Sequence, residues 1–356
     1  MIIGLCFISN LAGMGLKMGK HIYGCAINEL EEYFLGINEK KYRAIQTYEW
    51  LYQKKVFSFD EMTNIKHDLR EALKKDFKIK TINLIRVQKG SDVAKYLYEL
   101  KDKNTIEAVL MKHSYGNSLC ISTQVGCNIG CLFCESGRLK KVRNLLPGEM
   151  VEQIIMAEEE VHEKISHVVL MGIGEPFDNY ENVVKFLKII NHHKSLNIGT
   201  RHITLSTAGV VPRINDFANE EGQVNLAISL HAPNNEIRNK IMPINKSYNI
   251  EKLLEACKNY IKRTNRRITF EYILLDGIND SDDCAVELSK RLKGINCYVN
   301  LIPYNEASNT VFKKSGKAVI LRFYDILKKN KINVTIRKEF GGQIDAACGQ
   351  LRADNR

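Results

Sequence analysis

No stretch of this chain is apolar over the length needed to cross a membrane as a helix, which excludes an integral helical membrane protein. Residues 1–16 are apolar, yet no positive residue precedes the run and no clear cleavage site follows it, so the layout of a secretory signal is missing. Residues 1–25 are expected to be an extension, disordered or wrongly assigned to the chain, with Met18 as the native start. Ten cysteines are present, but not at the regular spacing of an extracellular disulfide framework. That points to a reducing compartment, the cytoplasm, and to metal chemistry. Tryptophan is nearly absent: Trp50 is the single one, in an apolar pattern that reads as core before base stacking. Acidic residues are outnumbered 41 to 52 by lysine and arginine, leaving a formal net charge of +11. Such a balance favours a phosphate-rich partner, because each cation near a phosphate releases counterions. No pattern signals an oligomer, and a monomer is expected.

What the chain does contain is a dense cysteine loop, Cys127-Asn128-Ile129-Gly130-Cys131-Leu132-Phe133-Cys134. The C-x3-C-x2-C spacing lets one loop wrap three thiolates around a single centre. Structural zinc sites want four protein ligands, often as two C-x2-C pairs. Three thiolates with no fourth ligand nearby suit a 4Fe–4S cluster with one open iron. This spacing resembles that of radical S-adenosylmethionine (SAM) enzymes, in which the open iron holds SAM. The plainer alternatives are three structural cysteines or a partial zinc site.

The 356 residues, 44% of them hydrophobic, suffice for one large α/β domain and a small one. Residues 26–95 read as helical, with helices beginning at 28, at 42–54 and at 59–75, the last marked by Met62, Ile65, Leu69 and Leu73. Lys40, Lys41, Arg43, Lys54 and Lys55 surround the second, as a solvated face or an RNA-docking surface. From Glu107 onward strands alternate with amphipathic helices. The strands are expected at 118–124, 167–171, 202–207, 225–230, 267–275, 297–303 and 332–337. This alternation implies parallel pairing through crossover helices. The expected fold is α/β, a partial (β/α)6 radical-SAM barrel with a small helical N-terminal domain. Its divisions are the extension at 1–25, a helical RNA-binding domain at 26–95, the barrel at 96–340 and a C-terminal segment at 341–356. Cys257 falls on a core face and reads as structural, while Cys6, Cys25, Cys284 and Cys297 show no partner pattern.

Site residues of such barrels sit at the C-terminal ends of the strands. The three cysteines follow the first expected strand, and Gly172-Ile173-Gly174-Glu175-Pro176 follows the second. Ser206 ends the third, Ser229-Leu230-His231 ends the fourth, and Tyr304-Asn305 follows the sixth. Each alone reads as a turn or a satisfied polar residue; their shared position makes a rim beside the cysteines. Cys120 lies just before the loop, and Cys348 lies among small residues near the chain end. Either is an inert thiol on local sequence alone.

The segments 119–127, 171–176, 205–207, 228–233, 242–245, 299–303 and 345–351, together with the cysteine loop, resemble the RlmN/Cfr family of radical SAM RNA (adenine) methyltransferases. The resemblance runs from about residue 26 to the end. It implies a 4Fe–4S cluster on Cys127, Cys131 and Cys134, and SAM bound at Gly174, Glu175, Ser206, Ser229, Leu230, His231 and Asn305. It implies that Cys348 accepts a methyl group, that Cys120 forms a transient disulfide with it, and that Glu107 accepts a proton. The implied partners are 23S rRNA, tRNA next to the anticodon, and a flavodoxin-type electron donor. The run 115–118, Val125 and Glu175-Pro176 look more like the RlmN branch, which methylates carbon 2 of adenosine. The alternatives are a Cfr-type carbon-8 methyltransferase and a non-catalytic metal-containing RNA-binding protein. The basic run 138–143 is the candidate phosphate contact. Glu135-Ser136-Gly137 departs from the small residues usual after the third cysteine, placing a carboxylate beside the expected cluster.

Overall fold

One ten-stranded sheet organises the molecule. The computed structural model describes residues 20–220, 222, 224–306, 311–337, 350 and 351. In chain order the strands are β1 (Ile82–Lys89), β2 (Val93–Leu100), β3 (Thr105–His113), β4 (Gly116–Cys120), β5 (Ile165–Leu170), β6 (Ile203–Thr207), β7 (Asn225–Ser229), β8 (Ile268–Leu274), β9 (Cys297–Pro303) and β10 (Val334–Ile336). They lie side by side in that same order. The first four form an antiparallel meander, and the seven from β4 to β10 are parallel. Six crossovers join those seven strands, which is the expected (β/α)6 arrangement closed off by one further strand.

The crossover helices are α4 (Pro147–Val161), α5 (Tyr180–Asn191), α6 (Val211–Phe217), α7 (Asn235–Ile241) with α8 (Ile250–Thr264), α9 (Asp282–Leu292) and α10 (Lys317–Lys329). Their starts are written in the sequence. Asn234, Asn249 and Ser281 each accept a hydrogen bond from a backbone N–H of the first turn, satisfying a donor that the helix leaves open. Pro147 occupies the first position of α4, where its missing N–H costs nothing. Their apolar faces cover the outside of the sheet, and Leu253, Leu254 and Cys257 of α8 are buried there, so Cys257 is structural as expected.

The region expected to be wholly helical, 26–95, is only partly so. α1 (Ile27–Gly36), α2 (Tyr42–Tyr48) and α3 (His67–Asp76) are present, but β1 and β2 form a hairpin around residues 90–92, and β3 extends it. A short apolar run such as Tyr96-Leu97-Tyr98 fits a strand or a buried helix equally well by period, and the turn residues Gly90-Ser91-Asp92 decide it. The expected helix at 59–75 is also broken. Residues 59–61 make a single 3-10 turn capped by Ser58, and α3 starts six residues later. Met62, Ile65, Leu69 and Leu73 are all buried nonetheless. The periodicity marked the core side chains correctly but not the continuity of the helix.

Residues 20–25, placed by the sequence in the extension, belong to the fold. Lys20–His21 pairs in parallel with Phe77–Lys78, and Ile22, Tyr23 and Cys25 are buried. Residues 1–19, including Met18, lie outside the described residues. His21 also meets Glu152 of α4 at 3.2 Å, and Glu152 accepts the Thr81 N–H at 2.9 Å, tying the N-terminal region to the barrel. No described helix is long and apolar enough to cross a membrane.

Candidate active site

The cysteine loop leaves β4 and returns to α4, and its shape is pinned along its length. Gln124–Val125 pairs antiparallel with Arg143–Asn144. The Cys127 N–H donates to Leu139 O at 2.9 Å, and the Leu132 N–H donates to Ile241 O at 3.0 Å. Gly137 packs on the Cys131 backbone so closely that a Cβ would fall 2.5 Å from the carbonyl oxygen. This explains a glycine at that place in the unusual Glu135-Ser136-Gly137 run.

The loop faces the strand ends across a cavity of about 150 Å³. Cys127, Cys131 and Cys134, all partly exposed, line one side. Gly174, Glu175, Ser206, Ser229 and His231 line the other. The structure therefore brings eight of the expected site residues around one cavity. Leu230 is buried in the core, and Asn305 is half-buried after β9; neither side chain lines the cavity. Glu107 is buried on β3 in an ion pair with Lys95 at 3.4 Å. Cys120 is buried in one apolar cluster with Val109, Met111, Ile173 and Leu351. Cys348 lies outside the described residues, so the expected disulfide is not present among them. Leu351, three residues beyond Cys348 in sequence, belongs to the same apolar cluster as Cys120, and its carbonyl accepts from Ser136 Oγ at 2.6 Å.

Each wall group has a physical reason to be where it is. A side chain at Gly174 is barred twice, by φ +111° and by a Cβ that would fall 2.6 Å from Gln124 Cβ. The backbone there is consequently bare toward the cavity. Glu175 is oriented as a brace rather than as an open acceptor. Its Oε1 accepts from the Phe177 N–H at 2.9 Å and its Oε2 from the Ala208 N–H at 2.7 Å, joining the ends of β5 and β6. Burial pushes its carboxyl up to about 7. His231 sits at φ +56°. Its Nδ1 accepts from the Ile273 N–H at 3.0 Å, so the proton is on Nε2. Burial, and then the nearby Arg238, lower its pKa to about 3, keeping the ring neutral.

Sequence reasoning missed Arg238, the largest fully buried side chain. It donates to the carbonyls of Leu230 (3.0 Å), Ala208 (2.7 Å) and Ser229 (3.1 Å) and to Asn245 Oδ1 (3.1 Å). One guanidinium thus ties the ends of β6 and β7 to the Met242-Pro243-Ile244-Asn245 turn. It also missed Gln124, whose Oε1 accepts from the Glu175 N–H at 2.8 Å, and the septum of Met171, Glu271 and Arg337 that reaches the cavity from below. A lone arginine in an amphipathic helix gives no local signal of such a role.

Glu135 turns away from the cavity, 3.6 Å from Arg138, while Ser136 lines it. The basic run 138–143 is largely committed internally. Lys141 pairs with Asp178 at 2.7 Å and Arg143 with Glu149 at 2.8 Å, leaving Arg138 and Lys140 as its exposed cations. In the N-terminal domain, Lys54 lies over the Trp50 ring at 3.5 Å and Lys55 pairs with Glu158 at 2.9 Å. Trp50 packs against the core, as expected.

The donor set fits a cluster better than a lone ion. Among the described residues no three His, Cys, Asp or Glu side chains are gathered closely enough to hold a single metal ion. A cubane spreads its thiolates over separate corners. Burial pushes the Cys127 thiol up to about 12 and raises Cys131 well above its ordinary value, so these thiolates need a cationic centre to form.

Residues 121–287 match the Radical SAM superfamily, and residues 21–79 match the Ribosomal RNA large subunit methyltransferase N-terminal domain. A curated relative in Enterococcus faecalis, named probable dual-specificity RNA methyltransferase RlmN, is 54% identical over 341 residues, 93% of this chain and 96% of its own. One of the same name in Spiroplasma citri is 51% identical over 338 residues, 94% and 97% of the two chains. The chain belongs to the RlmN family of radical SAM RNA methyltransferases. A crystal structure of a radical SAM methyltransferase from Sphaerobacter thermophilus superposes with a TM-score of 0.91 at 40% identity, covering 94% of this chain and all of that one. The RlmN N-terminal match begins at residue 21, in agreement with the burial of Ile22 and Tyr23.

Substituting Glu175→Gln in this RlmN-family chain sets an amide NH2 against one of two backbone N–H donors. A loss of about 1–3 kcal/mol in stability is expected, with weaker SAM binding. Urea denaturation and equilibrium dialysis with SAM check it; unchanged values in both would leave Glu175 without a bracing role.

Proposed function

We propose that the protein methylates carbon 2 of an adenosine in 23S rRNA, and in tRNA next to the anticodon, by way of a methyl group carried on Cys348. The observation that carries this reading is the wall of three thiols facing the Gly174, Ser206, Ser229 and His231 rim, within a chain of the RlmN family. Relatives named for dual specificity support the two RNA classes.

Cys127, Cys131 and Cys134 would hold a 4Fe–4S cluster. Bound there with SAM, it supplies one-electron chemistry for an aromatic carbon that polar methyl transfer does not reach. The chain's own residues place the ligands. The bare backbone at Gly174 admits close approach, Ser206 and Ser229 offer hydroxyls, and neutral His231 offers Nε2–H. Leu230 and Asn305 act through the backbone segments they occupy beside that wall. Arg238 and Glu175 keep the strand ends in register with the thiols. Leu351 in the same apolar cluster as Cys120 supports Cys348 and Cys120 working together, with Glu107 as proton acceptor behind them. The target base must leave its stack to enter, which favours loop or unfolded RNA. A flavodoxin-type donor supplies electrons, and the enzyme works as a monomer in the cytoplasm.

The test is anaerobic incubation of reconstituted protein with SAM, reductant and either protein-free 23S rRNA or tRNA, followed by mass spectrometry of the nucleosides. 2-Methyladenosine from both RNAs is expected. 8-Methyladenosine would move the chain to the Cfr-type reaction, and product from rRNA alone would remove the tRNA half of the reading.

A further inference from the structure

Barrel interiors are ordinarily filled by branched apolar side chains. Here the half of the lumen away from the cysteine loop is a cavity of about 1040 Å³. Its wall carries Ser118, Thr204, Thr269, Asn300 and Thr335, one from each of five parallel strands. A polar lining of that size holds water or a polar ligand rather than a packed core. Met171, Glu271 and Arg337 form the partition, since they line this cavity and the smaller one alike. Glu271 is held there by Asn300 Nδ2 at 2.9 Å, and Arg337 lies 3.9 Å from the Met171 sulfur.

The mouth has two unlike sides. One carries Arg201, Arg266 and Arg267, just before β6 and β8. Arg266 is steadied by Asn225 Oδ1 at 2.8 Å, and Arg267 lies 5.0 Å over the Tyr298 ring. Among the described residues, four arginines, Arg337 included, and one carboxylate, Glu271, line the cavity. The other side carries His113 and Tyr115, the lining end of a run of flat rings that continues through His167 and His202. His113 and Tyr115 stack at 4.6 Å and 9°, Tyr115 meets His167 edge-on at 5.1 Å, and His167 and His202 stack at 4.5 Å and 4°. Tyr115 is 64% exposed despite these contacts. Guanidiniums paired with exposed ring faces are the chemistry that recognises phosphate and base together.

We propose that this mouth binds one unpaired nucleotide, its phosphate among Arg201, Arg266 and Arg267 and its base on the Tyr115–His113 stack. The proposal does not depend on the methylation reading, because it uses the opposite end of the barrel. Such a nucleotide has two sources: an unpaired residue of a bound RNA, or a free mononucleotide.

The full chain, saturated with SAM so that the cysteine-side cavity is engaged, is titrated with 5′-AMP, with adenosine and with an unstructured tetraribonucleotide. Saturable binding of AMP or the tetranucleotide is expected, with adenosine weaker by on the order of tenfold. The double variant R201E/R267E lowers that affinity by on the order of tenfold and leaves SAM binding unchanged. Y115A, a change at an exposed position, weakens AMP but not inorganic phosphate, and it stands as the test if the charge reversal does not fold. Tighter binding of the tetranucleotide than of AMP identifies RNA as the source; equal binding identifies the free mononucleotide. Absence of saturable binding by both probes, or binding indifferent to R201E/R267E and Y115A, overturns the proposal.

Discussion

Cys131→Ala is expected to lose the iron–sulfur absorbance, the bound iron and methylation together, the last by ~10³-fold or more. Cys131 is the central thiol of the loop, and its backbone N–H and carbonyl are wedged against Gly137. Its sulfur lies on the same cavity as Cys127 and Cys134, and two thiols leave a cluster with too few ligands. Cys348→Ala separates the two halves of the chemistry. That variant keeps iron, SAM binding and reductive cleavage of SAM, and loses methyl transfer to RNA by a similar factor. Iron assay, visible absorption and 5′-deoxyadenosine release, read beside nucleoside mass spectrometry, distinguish them. Methyl transfer surviving in C348A would remove the S-methylcysteine route. Loss of methylation with RNA binding intact separates the enzyme from a non-catalytic RNA-binding protein.

Arg238→Leu is expected to cost about 3 kcal/mol or more, among the larger single-residue effects in the chain. The leucine fills the volume but leaves the carbonyls of Leu230, Ala208 and Ser229 buried without their donor. Those carbonyls belong to the strand ends that bear Ser206, Ser229 and His231, so weaker SAM binding is expected alongside the lower denaturation midpoint. Arg238→Lys keeps the charge but reaches fewer acceptors, and is expected to fall between the two. A leucine variant within about 1 kcal/mol of the parent would show that the strand ends hold themselves.

The barrel half of this fold was legible because parallel strands with crossover helices have a long repeat and end in characteristic residues. Ser206, Ser229 and His231 could be set on one rim by counting strands alone. The antiparallel meander was not legible: β1 and β2 mix buried and exposed positions without clean alternation and are rich in residues that suit either period. The roles of Arg238 and Gln124 were not legible for another reason. Each acts by joining segments far apart in sequence, and local pattern carries no record of such a partner. Glu175 was found, but as an acceptor for a ligand, whereas both its oxygens are engaged by backbone N–H groups. Loop position said where the carboxylate was, not what it held.

Every strand of the sheet lies beside its neighbour in sequence, so pairing can proceed strand by strand as the chain is synthesised, without waiting for distant segments. The bond from Ser136 to Leu351 is the opposite case, joining residues 215 apart. It can form only after the last strand has been added. The contact between the cysteine loop and Leu351 is therefore among the last that the described chain can make.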